Sequence, residues 1–135
     1  MAIEGGCYCG SVRYQADGEP LLSAQCHCRE CQYLAGGSPN VFMAMPAAGF
    51  RYTQGSPKRF TRRDIDNPVT REFCGECGTH LVTRAPAMPD GIILKVGTMD
   101  DPGRYPGPQV AIFCVDKQRY HSVPAGVPEV ERLPG

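Results

Sequence analysis

The chain has no excess of either charge: 14 basic and 14 acidic side chains leave a formal net charge of zero. That balance excludes a disordered acidic tail and a strongly basic nucleic-acid module. Nor is there an apolar run approaching the ~18 residues of a membrane-crossing helix; residues 91–96 and 110–115 are the longest candidates, and they have only strand length. The first six residues, Met1 to Gly6, lack both a basic stretch and an apolar stretch of the secretory kind, so a cytoplasmic address is expected. At 135 residues the chain is too short for a two-domain enzyme with its own nucleotide-binding half, and a single domain spanning residues 1–135 is expected. What is abundant is punctuation and sulfur: Gly 16, Pro 13 and Cys 8. Dense Gly and Pro leave little room for long helices and favour short strands joined by turns, so the expected class is mainly β.

The patterning agrees. Val12, Tyr14 and Ala16 alternate with polar neighbours along a segment that starts at Gly6, the period of a half-buried strand. Residues 20–26, 40–45, 50–53, 70–73, 79–83, 92–96 and 110–115 read as further strands, residues 32–39 as a short helix or turn, and residues 97–108 as a loop. The tail beyond Pro124 has no periodicity and is expected to lie irregularly over the body.

The cysteines fall into two pairs, a triplet and a singleton: Cys7 with Cys9, Cys74 with Cys77, Cys26 with Cys28 and Cys31, and Cys114 alone. In a reducing compartment thiols this close together read as metal ligands. A disulfide framework, the alternative, needs an oxidising environment for which the sequence carries no signal. Zinc takes about four ligands with Zn–S near ~2.3 Å, so local pairs can share one ion, with iron or another metal that accepts soft ligands as the competitor. Cys7 and Cys9, at i and i+2 of an extended stretch, would reach one ion without a special turn. Cys74 and Cys77 need a tight knuckle, which Gly75 and Gly78 permit through positive φ and close approach. Cys7, Cys9, Cys74 and Cys77 are therefore assigned to a structural zinc, whose ligands are so distant in sequence that the unfolded chain cannot assemble them.

The triplet supplies only three corners of a tetrahedron, and three protein ligands with one open position is the arrangement of a catalytic zinc. Cys26, Cys28 and Cys31 are thus the candidate catalytic residues. A fourth ligand from Cys114, His80 or His27 stays open, with His27 the weakest, since in an extended Cys-x-Cys it projects to the opposite face. Read without function, Cys114 is a small buried apolar residue, His80 and His121 are hydrogen-bonded structural histidines, and Lys58 to Arg63 is a solvated edge.

Three segments together, Gly6-Cys7-Tyr8-Cys9-Gly10-Ser11-Val12-Arg13-Tyr14, Cys26-His27-Cys28-Arg29-Glu30-Cys31-Gln32 and Phe73-Cys74-Gly75-Glu76-Cys77-Gly78-Thr79-His80-Leu81, resemble the glutathione-dependent formaldehyde-activating family, also called the centromere protein V type. Gly97 to Pro102 extends the likeness. The resemblance implies an Mss4-like (β-tent) fold of stacked antiparallel sheets with zinc knuckles, two Zn²⁺ per chain held as assigned above, and glutathione as co-substrate. The implied activity is carbon–sulfur lyase chemistry of the S-hydroxymethylglutathione synthase type, joining formaldehyde and glutathione. The family often places Trp in the stretch that is Gln118 to His121 here, where Tyr120 is the packing aromatic instead, and often Arg at position 32, which is Gln in this chain.

Three thiolates on Zn²⁺ make a weak Lewis acid that leaves a bound sulfur nucleophilic, so sulfur transfer suits the triplet better than water activation. Arg29, His80 or a backbone N–H are candidate oxyanion stabilisers, and Arg13, Arg29 or the Lys58 to Arg63 stretch are candidates to hold the carboxylates of glutathione. The expected partners are a small thiol and an aldehyde, with no nucleic acid and no membrane, and a homodimer is left open. Two other functions compete: a non-catalytic zinc scaffold, and a thiol redox protein in which the triplet itself is oxidised.

Overall fold

The computed structural model describes residues 2–134. Ten short strands dominate: β1 Ala2–Gly6, β2 Arg13–Asp17, β3 Leu22–Cys26, β4 Asn40–Pro46, β5 Phe50–Gln54, β6 Lys58–Thr61, β7 Thr70–Phe73, β8 His80–Arg84, β9 Gly91–Lys95 and β10 Val110–Ile112. Among the described residues the one α-helix is α1, Arg29–Leu34, and four single 3-10 turns complete the regular structure. The strands form two sheets, β1-β2-β5 and β10-β3-β4-β9-β8-β7-β6. This is the mainly β, Mss4-like arrangement the cysteine motifs implied. It departs from the expectation in one pairing: β10 runs parallel to β3, with Ile112 beside Cys26. The loop from β9 to β10 crosses back over the molecule, and a strand returning by a crossover enters parallel rather than antiparallel.

The large sheet has apolar residues on both faces, and each face has its own core. One face carries Met43, Met45, Val82, Ile92 and Leu94, which pack with Ile3, Tyr14 and Ala16 of the small sheet. Register explains the selection. Met43 pairs with Leu94 and Met45 with Ile92, so alternate residues of β4 and β9 share that face. A buried carboxylate joins the sheets there: Glu72 of β7 is fully buried and accepts from the Tyr52 hydroxyl at 2.6 Å, Arg84 Nε at 2.7 Å and Arg59 Nε at 3.2 Å. Burial pushes its pKa up, but the Tyr52 hydroxyl and the Arg84 guanidinium outweigh burial, and the carboxyl sits below its ordinary value. On the opposite face Ala24, Cys26, Phe42, Ala44, Val110 and Ile112 form a second core with Cys31.

The tail is irregular, as expected, but firmly attached. Ala111 N–H donates to Pro128 O and Val130 N–H to Ala111 O, both at 2.9 Å, so residues 128–130 shield the outer edge of β10. Residues 58–61 form β6, an exposed edge strand, in line with the solvated reading of that run.

Candidate metal centres

The sulfurs of Cys7, Cys9, Cys74 and Cys77 all lie within 4.8 Å of one another. The separations of 3.6 Å for Cys7–Cys9 and 3.8 Å for Cys9–Cys74 match the edge of about 3.8 Å that a tetrahedron of four Zn–S bonds requires. This cluster could hold a metal. Two loops build it. In the second, Cys74 N–H bonds Thr79 O and Gly78 N–H bonds Cys74 O, and the N–H groups of Glu76 and Cys77 point at Cys74 Sγ at 3.3 and 3.5 Å. Gly78 takes φ +79°, as the knuckle demands; Gly75 does not, and its requirement is space, since a Cβ there would meet the Lys58 side chain at 2.8 Å.

The first loop differs from the extended pair read from the sequence. β1 ends at Gly6 and β2 begins at Arg13, and between them Cys7 and Cys9 sit in a tight turn closed by Gly10 N–H to Cys7 O at 3.1 Å, with Gly10 at φ +83°. Val12 N–H donates to Cys7 Sγ at 3.3 Å, so the pair forms a second knuckle facing the first. The alternation of Val12, Tyr14 and Ala16 belongs to β2 and the residue just before it, not to the Cys7–Cys9 segment. Nothing in that alternation marked the turn, although Cys9-Gly10-Ser11 carried the glycine signal. Ser11, which sequence reasoning passed over, places its hydroxyl 3.2 Å from Cys9 Sγ and 3.4 Å from Cys74 Sγ, where its one hydrogen can be donated to a sulfur of either loop. Tyr8 N–H donating to Thr79 Oγ1 at 3.1 Å ties the loops together.

The triplet is built differently, by one short segment. Cys26 ends β3, Cys28 caps the N-terminus of α1, and Cys31 lies in the helix with its N–H donating to Cys28 Sγ at 3.3 Å. The helix thus begins earlier than the sequence pattern indicated, because Cys28 acts as its N-cap. The three sulfurs lie within 4.8 Å of one another, and this cluster too could hold a metal. Hydrogen bonding from Cys26 and then Cys31 pulls the Cys28 thiol down to about 2. Cys26 is driven up by sharing hydrogen bonds with Cys28 and then Cys31, and by burial. Cys31 is helped by Cys26 but raised to about 11 by Cys28 and burial. The trio favours negative charge at one sulfur, which is the donor character a soft cation seeks. Cys114, His80 and His27 all lie outside the three-sulfur group.

Two histidines brace this segment from behind. Gln118 N–H donates to His121 Nδ1 at 3.2 Å, and His121 Nε2 bonds Gly37 O at 2.7 Å. His121 therefore carries its proton on Nε2, and the 2.9 Å contact between the two Nδ1 atoms makes His27 the donor. His27 is fully buried, with its pKa lowered by burial and then by His121. Its ring is engaged by His121 and is not among the groups that converge at the triplet. Gln32 is buried, and its amide donates to His27 O at 2.8 Å and Asp116 O at 3.0 Å, fixing the loop.

The triplet faces a cavity of about 330 Å³ whose walls include Cys26, Cys28, Cys31, Phe42, Arg71, Thr83, Ile93, Ile112 and Phe113. Sheet register delivers these side chains. Arg71 pairs with Thr83 and Thr83 with Ile93, so β7, β8 and β9 point them at one face, which Lys95 shares two residues beyond Ile93. Lys95 is buried and donates to Thr83 Oγ1 at 2.9 Å; Arg71 donates to the same oxygen at 3.3 Å and to Glu30 Oε1 at 2.9 Å. Burial pushes the Lys95 ammonium down to about 8, against the pull of the Cys31, Cys26 and Cys28 sulfurs. Sequence reasoning missed Arg71, Thr83 and Lys95, because only long-range strand pairing brings them to the cysteines.

Several earlier candidates take other places. Arg13 is paired with Asp100 through both guanidinium nitrogens, at 2.9 and 2.5 Å. Arg29 bonds Gln32 and stacks over Tyr33, Arg59 serves Glu72, and Arg62 bridges Glu30 and Asp64. His80 packs on Phe73 and is absent from the cavity walls, with its pKa lowered by burial and by Lys95 and Arg71. Cys114 is half-buried, its thiol 3.5 Å from Ala111 O. Tyr120 donates to Gly37 O at 2.9 Å but is largely exposed, so it caps the segment rather than lining a pocket.

The sequence model of the glutathione-dependent formaldehyde-activating enzyme matches residues 2–116, which hold both cysteine clusters. The chain belongs to this family. Among solved structures, it resembles a Rhodobacter sphaeroides protein from a structural-genomics programme, with a TM-score of 0.62 and 16% identity, covering 94% of this chain and 99% of that one. That likeness concerns the fold. No curated protein matches the chain. The family supports glutathione-dependent formaldehyde activation in general. Among the described residues no helix is long and apolar enough to cross a membrane.

Proposed function

We propose that the protein is a zinc-dependent carbon–sulfur lyase-type enzyme that adds a thiol to an aldehyde, in the manner of an S-hydroxymethylglutathione synthase, with glutathione as the thiol. In the overall reaction a C–S bond and an O–H bond form while the S–H bond and the carbonyl π bond break, the π pair ending on oxygen where it takes up the thiol proton. The observation that carries this reading is that three cysteine sulfurs, one short of a closed tetrahedral set, form a wall of a cavity. Cys7, Cys9, Cys74 and Cys77 would hold a structural zinc, and Cys26, Cys28 and Cys31 the catalytic one. Bound there, the metal supplies a position at which a substrate thiol is held as thiolate at neutral pH.

The chain's own residues support the rest. Lys95 and Arg71 offset the negative charge that three thiolates concentrate at this wall. Thr83 accepts from both cations, so its own hydroxyl hydrogen is left to point elsewhere, and its side chain lines the cavity. That uncommitted hydrogen makes Thr83, in place of Arg29 and His80, our candidate to meet oxyanion charge on the attacked carbonyl. Apolar walls from Phe42, Ile93, Ile112 and Phe113 limit water and strengthen these polar interactions.

The test is exchange NMR of ¹³C-formaldehyde with glutathione, with and without the zinc-loaded protein. Faster formation of the hemithioacetal, lost in Cys28→Ser, is expected. Exchange no faster than the uncatalysed reaction removes the enzymatic reading and leaves a zinc scaffold.

A further inference from the structure

We infer that the aldehyde preferred at the triplet carries an apolar body of several carbons, with formaldehyde a poorer substrate that leaves most of this particular site unfilled. The inference rests on the proposed reaction for the role of the triplet; the size and chemistry of the cavity carry it beyond that reading. At about 330 Å³ the cavity is roughly ten times the ~30 Å³ share of one liquid water, room for a chain of roughly six carbons beside the reacting one. Formaldehyde, with two heavy atoms, would leave most of that space to solvent or void.

The walls say which chemistry fills it. Phe42, Ile93 and Ile112 come from three strands, Val69 and Phe113 from the segments beside β7 and β10, and Leu133 from the tail, all lining the same space. Of the described residues that line it, only Arg71 is cationic, and its guanidinium already gives Nη2 to Glu30 and Nη1 to Thr83. Glutathione, with two carboxylates and an ammonium, would have to bury charges against apolar walls whose cation is committed, and buried charges need partners. The peptide therefore stays at the exposed rim marked by Asn67 and Ala87, and only its thiol reaches the sulfurs. The apolar interior is left to the other reactant, the carbonyl compound. Burying its chain would also hold the carbonyl carbon beside the sulfurs, so the apolar contacts contribute to orientation as well as affinity.

The zinc-loaded protein would be assayed with glutathione and either formaldehyde or hexanal, reading kcat/KM by exchange NMR. Binding of hexanamide, an unreactive isostere, would be read separately by saturation-transfer NMR. The expected results are a preference for hexanal of at least about tenfold, hexanamide binding, and loss of both in Ile93→Trp, with formaldehyde turnover reduced less. Because Trp at position 93 can disturb the sheet, Ala87→Trp at the exposed rim is the second variant, with the same expectation. Turnover of formaldehyde equal to or above hexanal, with no hexanamide binding, overturns the inference and leaves the proposed reaction standing. Hexanamide binding blocked by either Trp, without turnover of any aldehyde, supports the apolar site and sinks the reaction. Absence of both binding and turnover overturns both.

Discussion

The two cysteine clusters use the same donor atom to opposite ends. Cys7, Cys9, Cys74 and Cys77 come from two loops on different sheets, 65 positions apart at Cys9 and Cys74, and supply a complete set of four sulfurs. Cys26, Cys28 and Cys31 come from one strand-to-helix turn, supply three, and face a cavity. With metal bound as proposed, the first arrangement would tie the chain to itself through four sulfurs on one ion. The second would add little long-range connection and leave one position of the tetrahedron for a ligand. On that reading donor count and what surrounds the donors, rather than donor type, separate a structural from a catalytic centre.

The largest effect that would break this comparison is on folding. Cys74→Ser is expected to unfold the protein at 37 °C or to cost at least about 5 kcal/mol by urea melts, because most of the free energy of metal binding at such a site is folding free energy. Cys28→Ser should cost about 1 kcal/mol in the same melts while abolishing turnover. Equal losses from the two would erase the distinction.

Glu72→Gln sharpens it on the structural side. The fully buried carboxylate serves Tyr52, Arg84 and Arg59, so its loss should cost about 3 kcal/mol at pH 7. Because the folded-state pKa of Glu72 is lowered, its contribution is present above the ordinary carboxylate range and is lost as pH falls through the lowered value. The gap between wild type and variant, followed by urea melts, should therefore close in acid.

On the catalytic side, His121→Ala leaves the His27 ring without its partner and should cost about 1–2 kcal/mol. The same change should loosen metal retention at the triplet, read by chelator competition, and leave the four-sulfur site unmoved. The smallest expected effect belongs to Lys95→Met. Removing a buried ammonium should raise metal-free stability by about 1 kcal/mol, yet lower turnover and weaken metal retention, because the charge it offsets remains. A drop in metal-free stability instead would show that Lys95 serves the fold.

Much of this was legible before the structure. Spacing alone sorted seven cysteines into their two clusters, because i,i+2 and i,i+3 pairs are local facts, and β-branched runs marked β9 and β10. The turn at Cys7 and Cys9 was not, since alternation in β2 was extended backward over it. Helix α1 starts earlier than read because Cys28 serves as an N-cap, a role its residue type does not announce. Arg71, Thr83 and Lys95 were invisible because they meet only through the register of β7, β8 and β9. The bracing of His27 by His121 spans 94 positions and ends beyond the family match, so no local pattern encodes it.

The central claim is that one cluster is closed and the other open. The most direct test is visible absorption of the Co²⁺-substituted protein, titrated with glutathione. Two thiolate-bound cobalt centres are expected, only one of which shifts as the thiol binds, and that one should be missing in Cys28→Ser. Spectra unchanged by thiol, or a shift that survives Cys28→Ser and disappears in a folded Cys9 variant, would contradict the account.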